Sequence, residues 1–167
     1  MRRYRACDTG DERGVALVEF ALVLPILLVI LMGMLDFGKA FNYWIDSTQL
    51  ASSGARWAIV NKNPGSGTLQ QYIQSQADTS ELRSGGTTSV TDPVKVCISF
   101  PPVTGHATPQ VGDPVRVTIS SSYRWLRIIG QKLVNPTVNL GGSATMRLEA
   151  LPTNYAAGPG GTGAACT

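Results

Sequence analysis

The residues of this chain that could do chemistry are few and scattered. His106 is its one histidine and lies in the Gly- and Pro-rich loop PVTGHATPQVGDP. A triad or a zinc site needs partners at set spacings, and none accompanies it, so His106 reads as a surface loop residue. The acids of the C-terminal half are sparse, with no close pair of the kind that cleaves glycosides. GPGGTG (Gly158 to Gly163) matches G-x-G-x-x-G but follows no strand and opens no helix, so its dinucleotide context is missing. DFG (Asp36 to Gly38) lacks every companion motif of a kinase. No catalytic residue, metal ligand or cofactor site is expected, and the chain does not read as an enzyme. The cysteines, Cys7, Cys97 and Cys166, have no metal spacing. Cys97 and Cys166 both follow the apolar run and share a compartment, where a disulfide and two separate thiols are both open readings. That leaves Glu19, a carboxylate near the start of VALVEFALVLPILLVILMGML. An acid in hydrocarbon is costly, and by default it is a functional residue in need of a partner.

The element that holds Glu19 is the apolar run from Val15 to Leu35. At about 1.5 Å per helical residue it is long enough to cross a hydrocarbon core of roughly 30 Å. Pro25 removes one helical hydrogen bond within it. Arg2, Arg3, Arg5 and Arg13 precede the run, beside the acids Asp8, Asp11 and Glu12, in a chain of 167 residues with net charge +3. By the positive-inside rule the N-terminus is cytoplasmic and the rest of the chain is exported. Nucleic-acid binding needs a basic patch on the folded part, and the linear sequence shows none. With 15% charged and 43% hydrophobic residues, the composition fits a tethered globular protein and excludes wholesale disorder. A secretory signal cut at GKA (Gly38 to Ala40) is the weaker reading. The run exceeds the usual h-region, and an amphipathic helix continues through the supposed cut. A permanent single-pass anchor needs no cleavage, but gives Glu19 no role.

Beyond the span, Phe37, Phe41, Trp44, Ile45, Thr48, Ala51, Ala55, Ala58 and Ile59 recur at helical steps, with Lys39, Asn42, Asp46, Gln49, Ser53 and Arg56 opposite. One helix is expected from Val15 to about Val60, ended by NKNPGSG (Asn61 to Gly67). Its amphipathic half must be covered by the chain's own head or by neighbouring subunits. A second helix opens with the capping box Thr68/Gln71, presents Leu69, Tyr72, Ile73 and Ala77, and runs to SGGTTS (Ser84 to Ser89). Period-two alternation then predicts strands. Val94, Val96, Ile98 and Phe100 share one face. Val115, Val117, Ile119, Ser121, Tyr123 and Trp125 share another, as do Val138, Leu140, Ala144, Met146 and Leu148. One wet face and one buried face mean an antiparallel sheet packed on the helix, an α+β layer pair. The division expected is residues 1–14 as a pre-membrane segment, 15–35 the span, 36–60 the stalk, 61–154 the exported head, and 155–167 a Gly/Ala-rich tail.

RGVALVEFALVLPILLVILMGMLDFGKAF resembles the N-terminal block of the TadE-like, pilin-related proteins of the tight-adherence (Tad, type IVc) pilus system. The residues that carry the resemblance are Arg13, Gly14, Glu19, Phe20, Pro25, Asp36, Phe37, Gly38 and Lys39. QLASSGARWAIV and GGSATMRLE are similar to the helix continuation and the closing strand of such proteins. The resemblance implies a pilin-like fold and a cut by a prepilin peptidase between Gly14 and Val15, making residues 1–14 a leader. Glu19, followed by Phe20, would then be the fifth residue, a position where a pilin's carboxylate meets the terminal amine of a neighbouring subunit during assembly. The chain is longer than the major pilins of that system and too short for the von Willebrand-type domain of TadG-like relatives. It is therefore placed as a minor pilin or pseudopilin, a structural subunit in pilus biogenesis and adhesion. Its implied partners are the prepilin peptidase, other pilins or pseudopilins, the inner-membrane assembly platform and membrane lipid. Its implied place is the cytoplasmic membrane, with incorporation into a pilus. The alternative is an unprocessed single-pass envelope protein whose exported head binds another partner.

Overall fold

The computed structural model describes residues 10–125, 137–153 and 165–166. The elements in chain order are α1 (Gly10–Ile59), α2 (Leu69–Ser75), α3 (Ser80–Ser84), β1 (Lys95–Ser99), β2 (Pro114–Arg124), β3 (Thr137–Arg147) and β4 (Ala165–Cys166). The chain divides into two compact units, Met1–Phe37 and Gly38–Thr167. The described part of the first is the apolar stretch of α1. Leu, Val, Ile, Met and Ala dominate it, and its side chains are exposed all round, as Leu17 at 69% and Leu35 at 72% illustrate. Such a surface is that of a helix made for a non-aqueous surrounding. Pro25 lies inside it without ending the helix.

The second unit is a four-stranded antiparallel sheet, order β3-β2-β1-β4, with helices on one face. The alternation in β1 and β2 sends Val96, Ile98, Val115, Val117, Ile119 and Tyr123 inward, all buried. Edge strand β3 is more open, with Val138 still 39% exposed. The expected α+β arrangement of a long N-terminal helix and a small antiparallel sheet is the observed one.

The helix enters the core through both small and large residues. Ala40, Tyr43, Leu50, Ala51, Ala55 and Ala58 of α1 are buried in the common core, and Tyr43 meets Tyr123 at 5.6 Å between ring centroids. On the sheet side, a Cβ added at Gly142 would lie 2.6 Å from the Cα of Thr48, so β3 and α1 meet backbone to backbone. This face differs from the expected one. Phe41, Trp44 and Ile45 point away from the core and are 49%, 47% and 38% exposed, while Asp46, expected on the polar side, is buried. At Gly142 a side chain would hold the two backbones apart, so glycine takes that position.

Helix α1 ends in a Schellman motif. Asn61 takes the left-handed conformation (φ 51°), its N–H donates to the carbonyl of Ala58, and Lys62 N–H donates to that of Trp57. The Asn61 side chain then fixes the segment after β3, accepting from Thr153 N–H at 2.9 Å and donating to Thr153 Oγ1 at 2.6 Å. The capping box at Thr68/Gln71 forms as expected. The helix it opens stops at Ser75, however, and a separate α3 follows. The carboxylate of Asp46 accepts from the N–H groups of Asp78 and Thr79 and from Thr79 Oγ1, at 3.3, 3.0 and 3.1 Å. Arg83 donates to the carbonyl of Ala77 in the same break. Groups that an unbroken helix would have paired internally are thus satisfied from α1 and from α3.

The close approach of α1 to β3 yields a first prediction. Gly142→Ala inserts a methyl between two backbones and should lower the unfolding free energy of the full chain in detergent by about 1–3 kcal/mol, the usual cost of overpacking. Ser143→Ala, on the exposed face of the same strand, should stay within about 0.5 kcal/mol. Equal stability of the two variants in urea titrations would show that the contact is not tight.

Candidate functional site

Gly14, Val15, Glu19 and Phe20 all lie on α1 within the apolar unit, and all are exposed. Val15, Val18 and Glu19 fall within one helical turn of each other, and with Gly14 they line one shallow concavity. Among the described residues Glu19 has no ion-pair partner. A Cβ added at Gly14 would meet nothing within 4 Å, as is also true of Gly33 and Gly38. Glycine in a helix costs roughly 0.5–1 kcal/mol relative to alanine, so at Gly14 internal packing does not account for the residue. Within Gly14–Ile59, α1 is the one helix among the described residues long and apolar enough to cross a membrane.

A glycine with no packing role, a lone acid five positions later and an uncovered apolar helix form one linear signature. The family model of TadE-like proteins matches residues 14–56. Residues 14–56 are TadE-like. The match starts at the glycine in question and ends near the C-terminus of α1, where Ala55 and Ala58 are buried in the core. Comparison with curated proteins and with solved structures gave no match. The matched segment thus takes in both the apolar stretch of α1 and most of the part of α1 that is buried in the head.

The head carries two further constellations. Cys97 and Cys166 form a disulfide, opposite one another in the β1–β4 pair. It closes a sequence separation of 69, which by chain entropy contributes on the order of 4 kcal/mol. The sequence left this pairing open because cysteine spacing carries no geometry. The second constellation was missed. His106 Nδ1 lies 2.8 and 2.9 Å from the carboxylate oxygens of Asp113, and Gln110 N–H donates to Asp113 Oδ2 at 2.8 Å. Asp113 is the first residue after the turn that opens β2, and seven positions separate it from His106, so the loop itself brings the two together. Asp113 N–H closes the turn on the Gln110 carbonyl at 3.1 Å, and the Gly112-Asp113 pair that makes this turn was the available signal. Pro101, Pro102 and Pro109 line the same small hollow as the pair, and the arrangement reads as a loop clasp. Among the described residues no group of His, Cys, Asp and Glu is placed to hold a metal.

The Asp113 carboxyl is held below its ordinary value of 3.8, first by the Gln110 N–H, then by the bond to His106 and the charges of His106 and Arg147, with desolvation opposing. A carboxyl whose folded pKa is depressed contributes stability above its unfolded pKa and loses it as pH falls through the folded value. The clasp should therefore weaken as pH drops below about 3.8. Asp113→Asn should melt lower than the parent at neutral pH, and the two melting curves should converge in acid. A constant difference across that range would show that the Asp113 charge does not hold the loop.

Proposed function

We propose that this chain is a minor pilin or pseudopilin of a Tad pilus, a structural and assembly subunit and not an enzyme. The observation that carries the reading is the TadE-like match beginning at Gly14, on a helix whose apolar stretch is exposed among the described residues of its own unit. In this reading the basic N-terminal segment stays on the cytoplasmic side, the head is exported, and a prepilin peptidase cuts between Gly14 and Val15. The cut releases an α-amino group that is cationic below its pKa of about 7.7–8.0. That cation and the Glu19 carboxylate are a complementary pair for the apolar surroundings of a helix bundle, where an unpaired charge is costly. Within one subunit they are one helical turn apart; between subunits the same two charges fix the axial register of neighbouring helices. Phe20 and the rest of the apolar surface leave lipid for contact with other pilins or pseudopilins on the inner-membrane assembly platform.

Two variants test separate steps. Gly14→Ala has room in the helix, so the chain should fold and insert while keeping its leader. It should run above the processed wild type on a gel in cells that contain the peptidase. Identical mobility would sink the processing step and leave an unprocessed anchor whose head serves another partner. Glu19→Ala should be cleaved and keep its head fold, yet enter pili about tenfold less or worse, the scale of losing one desolvated charge pair. Normal incorporation would rule out the pairing role of Glu19.

A further inference from the structure

The outer face of the sheet has a character that the linear sequence conceals. Alternation places Lys95 of β1, Arg116 and Arg124 of β2 and Arg147 of β3 on that face, and the outward positions of these three strands carry no acid. Between the cations lie Ser99, Thr118, Ser120, Ser122, Asn139 and Thr145, and no aromatic ring. Register brings Lys95 opposite Ser120, and Ser122 opposite Asn139. Those residues line a polar groove of about 300 Å³, walled on one side by Asp92 and Pro93. Lys95, Ser122, Asn139 and Asp92 are exposed, and Ser122 Oγ lies 3.4 Å from Asn139 Oδ1.

We propose that this groove binds a carboxylate-bearing sugar unit of an acidic glycan. Lys95 is the cation for the sugar carboxylate, with Arg124 two residues beyond Ser122 on the same face as a second one. Ser120, Ser122 and Asn139 offer both donors and acceptors, the set that vicinal hydroxyls require. Asp92 accepts from hydroxyl groups and repels closely spaced negative charges. A ligand with one acid among several hydroxyls fits this mixture, and a phosphate-dense polymer does not. Single-stranded nucleic acid is further disfavoured because it relies on stacking platforms, and the face has none. This inference is independent of pilus assembly: the groove would bind its ligand whether or not the leader is removed.

The test uses the full chain in detergent micelles, with calorimetric titration of tetragalacturonate, neutral maltotetraose and a short DNA duplex. Tetragalacturonate should bind more tightly than either comparator. Lys95→Ala should weaken it about tenfold or more, as expected for losing a charged hydrogen-bond donor. Asn139→Ala should weaken it severalfold. Arg116→Ala, a cation of the same face outside the groove, should change it less than twofold. Absence of uronate binding, stronger binding of the duplex, or equal losses in Lys95→Ala and Arg116→Ala would each overturn the proposal; circular dichroism confirms that each variant is folded.

Discussion

One helix has to satisfy two surroundings, and the rest of the molecule follows from that constraint. From Val15 to Leu35, α1 presents apolar side chains in every direction and nothing in its own unit covers them. From Ala40 to Ala58 the same helix supplies one wall of the head's core. The second role demands close approach to a sheet, and close approach demands glycine at the point of contact. Ser47 and Thr48 on the helix and Gly142 on β3 form the closest approach, Ala51, Ala55 and Ala58 are buried in the core, and Phe41, Trp44 and Ile45 are turned outward. On that outward face Phe41 and Trp44 meet at 5.8 Å between ring centroids and stay about half exposed.

The small core of the head is reinforced by polar devices that link distant parts of the chain. Asn61 both ends α1 and holds Thr153. Asp46 satisfies the break between α2 and α3. The disulfide ties β4 to β1, and His106 with Asp113 fastens the loop before β2. Each resolves a backbone or loop end that a core of this size does not stabilise by burial alone.

Much of this was legible in the residues. The strands were readable because β1 and β2 bury one face and wet the other, which leaves a period of two in the sequence. Thr68 and Gln71 announced a helix start, since the capping box is local. The end of that helix was not readable, because the carboxylate that stabilises the break comes from Asp46, 32 and 33 positions earlier. The orientation of the stalk was misread for a related reason. Hydrophobicity marks both Phe41 and Ala51 as apolar but does not say which one a sheet can approach. Gly142 likewise passed as a gap in an alternating strand, when it is the point of closest contact. At the N-terminal site, Gly14 and Glu19 were conspicuous from type and spacing, and the exposed helix adds that no internal contact explains either one. The outer-face groove stayed hidden because its residues come from three strands and meet only through register.

The central claim is that α1 is an assembly helix freed by cleavage rather than a permanent anchor. Edman sequencing of the wild-type chain extracted from the membranes of its own cells tests this most directly. The account predicts a first cycle of valine and the sequence VALVEF, beginning at Val15. A sequence beginning MRRYRA, with the bond after Gly14 intact, would contradict it.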